Sequence, residues 1–322
     1  MPARGDVHID AALTNLSVGR RVQGFIGDLV VPRVKVQKQS DKYFIHGSEA
    51  LTIEDTVLAP NAESKGTDWA MTSATYLCTQ YALHGLLSDV VVANADPAID
   101  PRIATMDRVL NKVDLHRENR CATLLTTAAS YPAALKRTLA TAEQWDNYNS
   151  SSSDPRNHIA TALGKIQNLI GIVPNTLTIG WKVALALSNH PQILAGKTQS
   201  TNLNAVLTSF DLPPVLFGLN LRIGLAGYNT ALIGQTVSIA DVWGDYAIVH
   251  YVEPNPGLET LSHCVTFDWA SGYPSSRMVS ELYEPKIRAL RIEVLDAGLD
   301  EVLINTNAGY LLSDTLSASF LA

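Results

Sequence analysis

The chain has 322 residues, enough for about two domains at roughly 150 residues each. Hydrophobic residues make up 46% and charged residues 17%, which excludes the charge-rich composition of a disordered chain. The 24 Lys and Arg against 31 Asp and Glu give a formal charge of −7, which argues against a clamp that grips nucleic acid through a basic stripe but is compatible with a wall enclosing it.

Residues 1 to about 76 are sparse in apolar residues and read as an arm. Val34-Lys35-Val36-Gln37 alternates and Lys42-Tyr43-Phe44-Ile45-His46 is rich in strand formers, so a hairpin is expected, with its returning strand near Trp69-Ala70-Met71-Thr72. Such a hairpin has little apolar surface of its own and must lie against something else, a neighbouring subunit being one support. At Asp100-Pro101 a capping Asp precedes a Pro suited to the first helical turn. Ile103, Met106, Leu110, Val113, Cys121, Leu124 and Leu125 then mark one long helix to about Ala129. Its charges, Arg108, Lys112, Asp114, Arg117, Glu118 and Arg120, are mixed in sign and read as a solvated face or as a lateral contact.

Asn147 to Ser153 reads as a polar linker between domains, and Asp154-Pro155 repeats the cap signal before an amphipathic helix that stops at Gly171. A packed α/β region is predicted next. It comprises a strand at Thr176–Ile179, short helices at Trp181–Ser188 and Ala205–Phe210, and strands at Val215–Ile223, Ala247–Val252 and Val265–Trp269. The last segment alternates from Ile287 to Leu295, then 301 to 304, then 310 to 312, with turns at Asp296-Ala297-Gly298 and Asn307-Ala308-Gly309. We expect a meander of three short strands whose apolar face the long helix covers.

Chemistry-bearing motifs are weak. Gly196-Lys197-Thr198 resembles the end of a phosphate-binding loop, but the position that requires its first Gly is Pro191. The eight histidines are dispersed, with no two within four residues, and His263-Cys264 reads as neighbours on a strand rather than a catalytic pair. Asp41, Glu49, Glu54, Asp55 and Glu63 lie in the poorly packed arm, where no dry pocket can raise a carboxyl pKa. The tripeptide Arg4-Gly5-Asp6 carries no weight, since three residues near a terminus recur by chance. Cys78, Cys121 and Cys264 are far apart and free of C-x-x-C spacing, which fits a reducing compartment. No signal-peptide-like run and no membrane span is expected. No catalytic, cofactor or metal site is assigned.

The segments Gln23-Gly24-Phe25-Ile26-Gly27-Asp28 with Pro32, Lys38-Gln39-Ser40-Asp41-Lys42-Tyr43, His116-Arg117-Glu118-Asn119, Pro174 to Gly180, Trp243-Gly244-Asp245-Tyr246-Ala247 and Ala308-Gly309-Tyr310-Leu311-Leu312, in this order, resemble the major capsid proteins of tailed bacteriophages. That family has the HK97-like α+β fold. The resemblance implies an N-terminal arm (1–33) and an extended β-hairpin loop (34–76). It also implies a peripheral domain (77–153 and 285–322) with a spine helix at about 101–129, and an axial α/β domain (154–284). The implied function is structural. Hexamers and pentamers would close an icosahedral head around double-stranded DNA, in a virion assembled in the host bacterial cytoplasm, without enzymatic activity or cofactors. Implied partners are the chain itself, portal and scaffolding proteins, and a decoration protein.

Expected intersubunit contacts are Arg20, Arg21, Phe25, Lys38, Lys42, Tyr43, Phe44, Trp69, Arg117 and Glu118. Tyr43, Phe44 and Trp69 would act as anchors on a neighbour, with Arg20, Arg21, Lys38 and Lys42 meeting acidic partners. Lys35, Lys38, Lys42 and Lys65 fit no cross-linking motif, nor do Asn305 and Asn307, so no covalent Lys–Asn cross-link is expected. The alternatives are an encapsulin-like compartment of the same fold, an enzyme with a pocket of scattered residues, and a phage tail or neck protein.

Overall fold

The computed structural model describes residues 8–9, 24–46, 51–58, 60, 63–66, 71–95, 100–199, 212–232, 234–257 and 260–321. After β1 (His8–Ile9), a single turn, α1 (Gly27–Val30), leads through Pro32 into β2 (Arg33–Val36). β3 (Ser40–His46) and β4 (Met71–Leu77) form the expected antiparallel hairpin, in register from Ser40↔Leu77 to His46↔Met71. β5 (Thr79–Ser88) follows and passes into α2 (Asp89–Ala93), whose first turn is capped by Ser88.

α3 (Pro101–Thr126) is the predicted long helix: the Asp100 carboxylate accepts from Arg102 N at 2.8 Å and Pro101 occupies the first turn. Its 26 residues span about 39 Å. β6 (Lys136–Thr138) comes next. The stretch 147–153, expected as a linker, is a set of turns pinned from within. Ser150 and Ser153 donate their hydroxyls to the Ala142 and Gln144 carbonyls at 2.7 and 2.8 Å. α4 (Pro155–Ile170) has the predicted ends, with Asp154 accepting from Asn157 N at 2.9 Å and Gly171 in the left-handed conformation.

β7 (Thr176–Gly180) and α5 (Trp181–Ser188) match expectation, and Pro191 starts a further helix, α6 (Pro191–Gln199). The helix expected at 205–210 falls outside the described residues. The strand expected at 215–223 is two, β8 (Val215–Leu216) and β9 (Leu219–Gly224), turned at Phe217-Gly218, both at positive φ. β10 (Gly227–Asn229) and β11 (Ile239–Asp241) form a separate hairpin. Then come β12 (Ala247–His250), β13 (Cys264–Trp269), β14 (Arg277–Glu284), β15 (Ala289–Leu303) and β16 (Gly309–Ser313).

Two six-stranded sheets organise the chain. In the first the order is β1-β14-β15-β13-β2, with β5 also paired to β15; in the second it is β6-β16-β12-β7-β9-β8. The expected three-strand meander is therefore not formed. Asp296-Ala297-Gly298 is an irregularity inside one 15-residue strand, kept extended because β14 and β5 pair up to it and β13 and β5 take over beyond it. β16 leaves that sheet and pairs with β12 and β6. Sheet membership consequently groups 264–303 with the spine helix, and 309–313 with β6, β12, β7 and β9.

α3 lays Met106, Val109, Leu110 and Val113 on Val279, Ile292 and Val294 of the first sheet, as a long helix with an apolar stripe must. On the second sheet, Ile159, Ala162, Ile166 and Ile170 of α4 and Val183 and Leu187 of α5 cover Leu177, Ile179, Val249 and Tyr310. A third cluster joins the two halves. Ile26, Val30 and Val31 meet Cys121, Leu125, Tyr131, Trp243, Ile248 and Cys264.

Candidate assembly surfaces and the junction behind them

The residues expected at subunit contacts separate into an inward and an outward set. Arg117 and Glu118 point inward, which corrects, for these two residues, both readings of the helix charges. Glu118 is buried and accepts from Ile26 N at 2.9 Å, Gly27 N at 2.7 Å and Trp243 Nε1 at 2.7 Å. One carboxylate thereby ties α3 to α1 and to the loop before β12. Burial raises its pKa, and the three donors counter that rise. Arg117, also buried, binds Asp28 and reaches Thr266 Oγ1 at 3.3 Å. Burial opposes ionisation of Asp28, but the Arg117 and Arg33 guanidiniums outweigh it and hold the carboxyl at about 2.

The rest of this helix face is also engaged at home. Arg120 clasps Glu301 at 2.7 and 3.0 Å and lies over the Tyr81 ring, and Asp114 meets Arg277, itself paired with Asp296. Only Arg108 and Lys112 of the expected charges are exposed. A long amphipathic helix packed between a sheet and a second subdomain has no single solvated side, and sequence alone cannot see partners that lie far along the chain. Trp243, which sequence reasoning used only as part of a motif, is the unassigned member of this junction. Its indole lies against Gly224, where an added Cβ would come within 2.0 Å of Cδ1.

The hairpin divides in the same way. Tyr43 lies in the subunit's own core, its ring 5.4 Å from that of Phe267, with Tyr76 stacked on the same ring at 4.4 Å. Phe44, on the opposite face as strand alternation requires, is 42% exposed. Lys38 and Lys42 are exposed, Lys38 bridging to Asp41 at 2.8 Å. Phe25 is half-buried in the segment that enters α1. Arg20, Arg21 and Trp69 lie outside the described residues.

The outward apolar surface is larger than the sequence suggested. In the loop beyond β3, Ile53 is 98% and Val57 80% exposed, with Leu51 and Leu58 also largely uncovered. Val90, Val91 and Val92 of α2 are exposed beside the sheet end that carries Tyr283, which donates to Asp89 at 2.8 Å. The β10–β11 hairpin shows Leu232, Val237 and Ile239. Among the described residues no group of three or more metal-ligating side chains assembles, and no helix is long and apolar enough to cross a membrane. Burial pushes the Cys78 and Cys121 thiols up to about 12 and that of Cys264 well above its ordinary value, which leaves them poor nucleophiles.

No family model matches the chain. It is 27% identical over 244 residues to the major capsid protein of Pseudomonas phage JBD67, covering 76% of this chain and 77% of that one. It is 24% identical over 308 residues to the major capsid protein of Burkholderia phage BcepMu, covering 95% and 96%. Among solved structures, a phage-related protein from Bordetella bronchiseptica superimposes with a TM-score of 0.73 at 25% identity, over 96% of this chain and 98% of that one. The capsid of cyanophage P-SCSP1u gives 0.58 at 11% identity, over 91% and 90%. An encapsulin complex from Synechococcus elongatus gives 0.51 at 9%, over 99% and 98%. The fold is the HK97-like capsid fold, an α+β arrangement shared by shell-forming proteins. Within that class, the sequence similarity is to phage major capsid proteins, as the motifs implied, and it supports a structural, capsid-forming role.

Proposed function

We propose that this chain is the repeating subunit of an icosahedral phage head, assembling as hexamers and pentamers into a closed shell around double-stranded DNA. The observation that carries this reading is the resemblance to a phage major capsid protein along 95% of this chain and 96% of the relative. The separate exposed apolar patches on the 51–58 loop, α2 and the β10–β11 hairpin support it, because head-to-tail contacts between copies need different surfaces on one subunit. In this reading β5, β13, β14 and β15 with α3 make the peripheral domain and the second sheet with α4 and α5 the axial domain, which moves the strands of 264–284 out of the expected axial range and 309–313 into it. Residues 1–33 and 34–76 are the arm and the extended loop. Phe44, Lys38 and Lys42 then face a neighbour, as do Phe25, Arg20, Arg21 and Trp69, whereas Tyr43, Arg117 and Glu118 hold the subunit in shape. The role is structural rather than catalytic, with portal and scaffolding proteins, and a decoration protein, as further partners in a virion assembled in the host cytoplasm. The net charge of −7 suits a wall that leaves packaged DNA unbound.

Negative-stain electron microscopy of the purified chain with light scattering tests the assembly. Closed shells or capsomer rings are the expected outcome, and a stable monomer or dimer that candidate scaffolding protein cannot convert would overturn it. Nucleic-acid content of particles recovered from infected cells tests the enclosure of DNA, since protein cargo in its place would favour the encapsulin reading.

A further inference from the structure

His263, at the entry to β13, is fully buried where the two sheets and the end of α3 meet. Three contacts form a chain through it. Its Nδ1 lies 3.0 Å from the Asn305 carbonyl oxygen, its Nε2 lies 3.1 Å from the Tyr131 hydroxyl, and that hydroxyl lies 2.8 Å from the Leu125 carbonyl oxygen. Both carbonyls can only accept, so the number of protons decides which contacts are hydrogen bonds. A neutral ring with its proton on Nδ1 donates to Asn305, but Nε2 then has only a lone pair, and the single Tyr131 proton cannot serve both Nε2 and Leu125. A neutral ring with its proton on Nε2 sets the Nδ1 lone pair against the Asn305 oxygen. Each neutral tautomer leaves one contact unmade. The imidazolium makes all three: Nδ1–H to Asn305, Nε2–H to Tyr131 and Tyr131 O–H to Leu125.

We propose that His263 is a one-proton switch at the junction of the two sheets, whose protonation commits the Tyr131 hydroxyl to the last turn of α3 and completes the chain from Asn305 to Leu125. This goes beyond the capsid reading and does not depend on it.

The surroundings bear on the proton from both sides. Leu125 O is among the last four carbonyls of α3, the negative end of the helix, which favours a cation. Tyr131 is buried and its pKa lies well above the usual phenol range, so it stays a donor. Against the proton stands burial, which draws His263 down to about 4; His250 of β12 meets its ring edge-on at 5.5 Å. His250 is itself held neutral by burial, with Nε2 3.0 Å from Thr178 Oγ1 and Nδ1 unpartnered. The other titratable groups here are the thiols of Cys121 on α3 and Cys264 on β13, the latter donating to Val30 O at 3.3 Å. From β16, Gly309 leaves room for the ring: an added Cβ would come within 2.3 Å of His263 Cε1. One proton therefore fits in this cluster, and a second on His250 is opposed by the first.

The test is ¹⁵N solid-state NMR of the sedimented full chain labelled at histidine, with His263→Gln used to assign the resonances, from pH 7 to pH 4. At pH 7 we expect a neutral ring carrying its proton on Nδ1. On acidification it should convert to imidazolium while circular dichroism still reports the folded chain, and Tyr131→Phe should lower the midpoint by about one pH unit or more, since the charged donor loses its acceptor. A neutral Nε2–H tautomer at pH 7, unfolding before the ring is charged, or an unchanged midpoint in folded Tyr131→Phe would each overturn the proposal. The first two outcomes need no variant that folds differently from the parent.

Discussion

The junction around Glu118 and the loop beyond β3 invert the ordinary distribution of residues in opposite ways. At the junction, charged side chains are buried and paired: Glu118 takes three donors, and Arg117 binds Asp28 and Thr266, though its Nε makes no hydrogen bond. In the loop, Ile53 and Val57 stand almost entirely in solvent. Burying a carboxylate is costly, and the three donors to Glu118 offset that cost only in part, since its pKa stays raised. Exposed aliphatic side chains gain nothing until another surface covers them. Under the proposed function, the difference separates residues that shape one subunit from residues that would join subunits, a distinction that residue type alone conceals.

The sharpest way to break this comparison is Glu118→Ala, which strands Ile26 N, Gly27 N and Trp243 Nε1 in a dry site. A loss of about 4 kcal/mol is expected in urea unfolding of the subunit. Tyr43→Ala should cost about 3 kcal/mol in the same measurement, because it empties the space against Phe267. A cost below about 0.5 kcal/mol would mean that the hairpin base is not part of the subunit core.

Acid offers a third approach of similar size. The His263 pKa is lower in the folded chain, about 4, than its ordinary 6.5, so between these values the unfolded chain binds the extra proton. Stability is fully present above about pH 6.5 and falls as the pH drops toward 4, by about 3 kcal/mol from this residue. Asp28 acts in a lower window. Its contribution is present above its ordinary 3.8 and is lost as the pH falls through about 2. His263→Gln should make the pH 6.5 to 4 part of a thermal-melt profile less steep, with His250 still contributing there, and leave the part below it.

Gly224→Ala drives a methyl group into Trp243 and should cost about 2 kcal/mol by displacing the indole that Glu118 holds. The smallest effect on folding belongs to the loop. Ile53→Ser with Val57→Ser should move subunit stability by no more than about 0.5 kcal/mol yet reduce the yield of shells seen by electron microscopy, and Phe44→Ala should behave likewise. Unchanged shell yield from the combined loop variant would remove that loop from the contacts between copies.

The sequence announced the elements whose determinants are local. Asp100-Pro101 and Asp154-Pro155 marked two helix starts, and Gly171 an end, because cap chemistry is decided within four residues. The hairpin was legible from its strand formers. What escaped depended on distant neighbours: Asp296-Ala297-Gly298 has the composition of a turn, and only flanking strands keep it extended. The same limit hid the inward turn of Arg117 and Glu118, whose partners on α1, β13 and the Trp243 loop are remote in the chain. Tyr43 and Phe44 differ by one position, and strand alternation predicts opposite faces but not which face meets the core.

β15 has a mechanical consequence. Its first half is paired on one side to β14 and on the other to β5, and its second half to β13. Traction along the strand meets these bonds in shear, many at once, whereas traction across it peels them one by one. A wall built from this subunit would resist stretching along the β15 direction far better than splitting beside it.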